Sequence, residues 1–247
     1  MRVRKIRMTV TYDGTEYAGF QVQPGQRTIQ GELERAIEEL TKQKVRVVGS
    51  GRTDAGVHAL GQVIHFNTDS SIPVDRWPLA LHTKLPKDIV ITKAEEVHGQ
   101  FHARFDAKEK IYIYTIDRGH VPHVLMRRYA YHFPYALDIE KMREGAAYLI
   151  GTHDFTSFSS SKTEVQDKVR EMYEITMIQE GPFLKILCRG NGFLYQMVRI
   201  IIGTLLEVGE GKRDPETIKS ILEKKDRILA GRTVPPHGLV LYKVNYK

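Results

Sequence analysis

Apolar positions along this chain alternate between a period of two and a period of about 3.6, the marks of strand and helix. Met8–Tyr12 alternates and is cut by the turn pair Asp13-Gly14, which predicts a strand. Ile29, Leu33, Ile37 and Leu40 share one helical face, with Thr28 as the N-cap. Val45–Val48 and Val63–Phe66 read as strands on either side of a glycine-rich segment, Gly49 to Gly61. Asp75 is placed to cap a short helix running to Leu85, with Pro78 tolerated in the first turn. Ile89–Thr92 and Ile111–Ile116 read as strands, and in the latter Tyr112 and Tyr114 share a face. Beyond them, Tyr129–Phe133 reads as a strand. A helix capped by Asp138 follows, with Ile139, Met142, Ala146 and Leu149 on one side and Gly151 as its stop. Two more strands fall at Met172–Ile178 and Phe183–Cys188. An apolar helix spans Phe193–Leu206, Asp214-Pro215 opens another through Lys224, and Leu239–Val244 is the last strand.

Strand pairs interleaved with helices predict an α+β fold, helices on one face of a largely antiparallel sheet, rather than a doubly wound one. A boundary near residue 105 divides the chain into two such halves, 1–105 and 106–247. No fixed-period repeat occurs.

Composition narrows the class. In 247 residues, 37 Lys and Arg against 30 Asp and Glu leave +7, which favours an anionic partner such as nucleic acid. Cys188 is the single cysteine, too few for a disulfide framework or a cysteine-rich metal site. The basic start MRVRKIRM runs into TVTYDGTEY with no apolar stretch behind it, unlike a secretory signal. The longest apolar run, Phe193–Leu206, is too short for a bilayer and carries Arg199. A cytosolic enzyme or binding protein is the expectation.

Residues 49–61, GSGRTDAGVHALG, describe a tight turn needing unusual backbone angles. The dinucleotide fingerprint fails, because Asp54 stands where its third glycine belongs and a strand follows. The Gly-x4-Gly-Lys phosphate loop is absent. What remains is Arg52, Asp54 and His58 on one stiff turn. A nearby cation keeps a carboxylate ionised, as a nucleophile or charge stabiliser requires. Asp54 is equally readable as a turn aspartate bonding its own backbone, and His58 as a packing residue. Arg199 lies in MVRIIIG, in a helix apolar nearly all round, so a carboxylate or phosphate should meet it. Asp54, Glu207 and Asp154 are the candidates. The pairs His98/His102 and His120/His123 lack acidic companions on a helix, so zinc is not expected, and no Gly-x-Ser-x-Gly elbow occurs. Basic clusters at Arg2/Arg4/Lys5/Arg7, Lys108/Lys110, Arg127/Arg128, Lys168/Arg170, Lys212/Arg213 and Lys224/Lys225/Arg227, interleaved with tyrosines, are compatible with phosphate binding and base stacking.

The loop GSGRTDAGVHALGQVIHF closely resembles the signature of the tRNA pseudouridine synthase A family. YDGTEYAGFQVQP (12–24), TIQGELERAI (28–37), FHARFDAKEKIYIY (101–114), HDFTSF (153–158), NGFLYQMVRIIIGTLLEVG (191–209) and AGRTVPPHGLVL (230–241) resemble family segments in family order. The resemblance implies two α+β halves sharing a central sheet, the pseudouridine synthase fold. It implies isomerisation of uridine to pseudouridine on the 3′ side of the tRNA anticodon stem-loop, at tRNA positions 38, 39 and 40. It also implies no cofactor, no metal, a homodimer and a cytoplasmic location. Asp54 matches the family's catalytic aspartate, and Tyr112 the tyrosine that packs on the uracil. Arg52 resembles the arginine that helps extrude the base, and Arg199 the one that pairs with the aspartate. Leu239 or Leu241 would line the pocket. Arg232 departs from the pattern, where a less charged residue is expected. The rivals to this reading are a non-catalytic RNA-binding protein and an aspartate-based phosphotransferase. Against the second, no acid is paired next to Asp54.

Overall fold

A computed structural model describes residues 2–163 and 165–246. The chain forms two compact units, one built from residues up to Lys108 together with those from Val240 onward, the other from Glu109–Leu239. The sequence reading had placed everything after 105 in one half; the last strand instead returns to the first unit.

In the first unit, β1 (Arg4–Tyr12) begins earlier than the apolar run suggests. The period of two continues back through the basic residues: Ile6, Met8, Val10 and Tyr12 are all buried. Ahead of them Arg4 Nε reaches Glu96 at 2.9 Å, and between Ile6 and Met8 Arg7 Nη2 reaches Glu95 at 2.6 Å. Burial alone would raise the Glu95 carboxyl, but the Arg7 hydrogen bond and charge outweigh it and hold it below the usual range. Two carboxylates of the neighbouring strand thus meet the amino-terminal basic cluster and offset about half of its four charges.

The helix α1 (Ile29–Thr41) starts where expected, with Thr28 accepting from the Gly31 N–H, and buries Ile29, Leu33 and Ile37. The predicted strand at 45–48 is a correction, for only Val48–Gly49 (β2) pairs. Val47 N–H donates to Glu34 Oε1 at 2.9 Å and its carbonyl accepts from Gln30 Nε2 at 3.1 Å, so side chains of α1 take the bonds a ladder would have made. The next strand, β3 (His58–Thr68), starts inside the glycine-rich segment. Asp75 does not cap the next helix: α2 (Trp77–His82) follows a short 3₁₀ turn, Val74–Arg76, with no side-chain cap. β4 (Ile89–Val97) completes this stretch. β1 pairs antiparallel with both β3 and β4.

In the second unit, β5 (Glu109–Asp117) carries Tyr112 and Tyr114, both buried. Of the expected strand 129–133 only β6 (Tyr131–His132) pairs, parallel to β5. α3 (Ile139–Ala147) has the expected cap, Asp138 accepting from Lys141 N–H at 3.0 Å. It ends before Gly151, whose φ of +102° instead opens β7 (Gly151–Asp154). β8 (Val169–Glu180) and β9 (Phe183–Gly190) form a hairpin with Gly181 at φ +57° in the turn. β9 also pairs antiparallel with β5, and β7 with β8.

The apolar helix α4 (Met197–Gly209) starts four residues later than its hydrophobic run, after Gln196 in the left-handed region at φ +61°. α5 (Thr217–Lys224) opens just beyond Asp214-Pro215, where Thr217 N–H donates to the Asp214 carbonyl at 3.1 Å. Finally β10 (Leu239–Asn245) carries the chain back, pairing parallel with β3 through Val240 to His58 and Leu241 to Ala59. The fold is mixed α+β with largely antiparallel pairing, as expected. No helix among the described residues is long and apolar enough to cross a membrane.

Candidate active site

Asp54 lies in the turn between β2 and β3, and close backbone approach fixes that turn's shape. A Cβ on Gly14 would stand 2.0 Å from the Val57 carbonyl oxygen. One on Gly19, at φ +101°, would stand 2.8 Å from that of Thr53. Only glycine lets the segment 13–20 lie this near. Phe20 N–H donates to Thr53 O at 3.0 Å, and Val57 N–H donates to Asp54 O at 3.1 Å, closing the turn. At its end, buried His58 accepts the Gly14 N–H on Nδ1 at 3.0 Å, and Asp13 Oδ1 lies 3.1 Å from the same nitrogen. His58 thus ties the loop to the Asp13-Gly14 turn.

Beneath the loop runs a buried polar network that the sequence reading missed. Gln62 is fully buried; it accepts from Ser50 Oγ at 2.7 Å and donates to the Gly51 carbonyl at 2.9 Å. The Tyr12 hydroxyl meets Thr53 Oγ1 at 2.8 Å. Burial pushes the Tyr12 hydroxyl up to about 12, against the opposing pull of its bonds with Thr53 and Gln62. It therefore keeps its proton at neutral pH and serves as an anchor, not a base. The available signal was Gln62 itself, a polar residue within a strand whose neighbours are otherwise packed inside. Above this network Asp54 is half-buried and Arg52 exposed. A carboxylate and a cation thus stand on one immobilised turn. Leu241, in register with Ala59, is fully enclosed.

In the second unit, Tyr112 is buried on β5 opposite Cys188 and meets Phe193 edge to face, with ring centroids 5.0 Å apart. Phe193 is a second residue the sequence reading did not single out for this role. Tyr114 is wholly buried and donates to the Pro235 carbonyl at 2.9 Å. Burial raises its hydroxyl far above the usual phenol range, with Arg199 pulling the other way, so Tyr114 is structural. Leu239 is buried at the start of β10.

Arg199 is half-buried, less enclosed than an all-apolar helix implied. Its Nε donates to the Val234 carbonyl at 2.8 Å, and Val234 N–H returns a bond to the Arg199 carbonyl at 3.3 Å. Two of the acids considered for it have other cations: Glu207 accepts from Arg213 Nε at 2.5 Å, and Asp154 meets Lys225 Nζ at 2.9 Å. The strap carrying Val234 is pressed on α4, since a Cβ on Gly203 would lie 1.8 Å from the Arg232 carbonyl oxygen. Arg232 is exposed, with its guanidinium 5.4 Å from the Phe133 ring centroid.

One member of each histidine pair is engaged by backbone or carboxylate groups. His102 Nδ1 accepts from the Arg104 and Phe105 N–H groups at 3.2 and 3.3 Å, and His123 Nδ1 lies 2.9 Å from Asp117 Oδ1. Among the described residues, no group of three or more His, Cys, Asp or Glu is arranged to hold a metal ion. Burial pushes the Cys188 thiol up to about 12, so it is no nucleophile at neutral pH.

The family model for tRNA pseudouridine synthase matches residues 8–106 and 146–247. The chain is 57% identical over 244 residues to tRNA pseudouridine synthase A of Bacillus pumilus (strain SAFR-032), covering 98% of this chain and 99% of that protein. It is 56% identical over 245 residues to tRNA pseudouridine synthase A of Anoxybacillus flavithermus (strain DSM 21510 / WK1), covering 99% of each. Among solved structures, the archaeal box H/ACA sRNP Nop10-Cbf5 complex superposes at a TM-score of 0.36 with 13% identity, over 82% of this chain and 44% of that one. That likeness is too loose to carry an argument. The matches in sequence suffice: the chain belongs to the tRNA pseudouridine synthase A family, enzymes that isomerise uridine to pseudouridine in tRNA.

Proposed function

We propose that this chain converts uridine to pseudouridine on the 3′ side of the tRNA anticodon stem-loop, with Asp54 as the catalytic carboxylate. The observation that carries the reading is Asp54's setting: a half-buried carboxylate beside exposed Arg52, on a turn held by close glycine contacts and the Gln62 network. The reaction breaks N1–C1′, turns the uracil, joins C5 to C1′, and moves one proton from C5 while N1 gains one. Every atom is conserved, so neither an oxidant nor a group donor enters the balance. A single ionised carboxylate, acting on the sugar or the base, is the chemistry the protein must supply.

The target uridine must leave its stack, at a cost of a few kcal/mol. Arg52, exposed on the turn, is suited to fill the space the base vacates. Tyr112, fixed by Phe193, offers the uracil a ring to pack on, with Leu239 and Leu241 as apolar backing. Arg199, at the start of α4, is assigned as a substrate-binding cation, as the family resemblance implies. The working form is a cytoplasmic homodimer, as the family resemblance implies.

Mapping pseudouridine in unmodified tRNA transcripts after incubation with the protein tests the reading. New pseudouridines confined to the 3′ side of the anticodon stem-loop are expected. Modification only in another arm, or none, would overturn it.

A further inference from the structure

The segment Phe101–Asp106 forms a turn more heavily bonded than a surface loop needs. His102 N–H donates to Asp106 Oδ2 at 2.9 Å, and Asp106 N–H returns to the His102 carbonyl at 3.0 Å. Arg104 and Phe105 both direct their N–H groups at His102 Nδ1. Ala103 is gripped on both sides: its N–H donates to buried His65 Nδ1 at 3.1 Å, and its carbonyl accepts from Tyr246 at 2.7 Å.

What this rigid turn displays is apolar and outward. Phe105 is 73% exposed. Its ring stacks on His102, with centroids 4.3 Å apart and planes 26° from parallel, and the Arg104 guanidinium lies 5.8 Å from its centroid. A scattered exposed phenylalanine needs no explanation. This one is different, because His102 supports it from behind, a cation sits beside it, and a hydrogen-bonded turn keeps it from folding inward. An aromatic ring held flat with an adjacent guanidinium is the arrangement on which unpaired bases stack.

We propose that Phe105, backed by His102 and flanked by Arg104, is a stacking platform for an unpaired base of the tRNA substrate. The proposal rests on the tRNA reading above and deepens it. A protein partner is the less favoured occupant, since Arg104 flanks the ring and the molecule carries +7.

The test is equilibrium binding of an unmodified tRNA transcript to wild type, Phe105→Ala, Phe105→Leu and Phe105→Trp, with melting temperature and particle mass recorded for each. Stacking of this kind predicts about tenfold weaker binding for the alanine and leucine variants and undiminished binding for tryptophan. Salt dependence should be the same in all four, because stacking releases no counterions. Melting temperatures should agree, since the ring is exposed. Phe105→Ala binding within twofold of a wild type that itself binds tRNA overturns the platform alone. A changed particle mass in Phe105→Ala also overturns it, assigning the ring to a subunit contact. A wild type that binds no tRNA overturns the reading beneath it.

Discussion

Gln62 shows how much of the proposed chemistry depends on a residue that does none of it. Its amide satisfies Ser50 and the Gly51 carbonyl in a place where water does not reach. Gln62→Leu keeps roughly the volume but strands both partners, so we predict a loss of about 2–6 kcal/mol in urea unfolding, at 1–3 kcal/mol per orphaned group. Turnover should fall further than stability requires, because Arg52 and Asp54 lose their footing. A titratable neighbour gives a pH test. Burial, helped by Lys5 and His102 and opposed by Asp106, depresses His65 from 6.5 to about 4. The unfolded chain takes up this proton as pH drops through 6.5, while the folded chain waits until about 4. His65's contribution to stability is therefore complete above 6.5 and drains away toward 4. Unfolding midpoints measured across that window should fall less steeply in His65→Asn than in wild type; equal slopes would remove His65 as the cause. These residue-scale features were only partly legible. Arg52 and Asp54 stood out through a loop motif, whereas Gln62, Tyr12 and Phe193 gain their meaning from partners many positions away.

Helix caps and alternating strands were readable because they are local: Thr28 and Asp138 cap where their hydrogen-bonding chemistry says they should. The misreadings share a physical cause, in that a neighbouring segment supplied what local pattern could not show. Val47 satisfied its backbone on α1 instead of a ladder, and β1 ran back through arginines because β4 brings carboxylates to meet them. The parallel partner of β10 was likewise invisible, since register across nearly the whole chain leaves no local trace. At this scale Gly203 is the sharpest test. A methyl there meets the Arg232 carbonyl at 1.8 Å, so Gly203→Ala should cost about 2–3 kcal/mol despite alanine's better helix propensity. Gly99→Ala, which meets nothing within 4 Å, should stay within about 0.5 kcal/mol. Matched urea titrations separate the two, and equal midpoints would show that the strap moves aside freely.

For the molecule as a whole, charge is less informative than its arrangement. Glu95 and Glu96 offset about half of the basic amino terminus, so only part of that cluster remains as excess charge for RNA. Affinity for tRNA should still drop steeply with salt, by about a thousandfold between 50 and 200 mM if some six phosphates are engaged. A flat response in filter binding would remove phosphate contacts from the account. The family could be read from ordered motifs along the chain, but the support that makes the Asp54 turn rigid could not. That rigidity gives the proposed carboxylate its fixed place. The central claim is that Asp54 is indispensable to the isomerisation and not to holding RNA. It is tested most directly by tritium release from tRNA labelled at uridine C5, with wild type and Asp54→Asn compared at saturating enzyme and tRNA binding measured alongside. Release by wild type and none by the variant, with tRNA affinity retained, is the predicted result; release persisting in Asp54→Asn would contradict it.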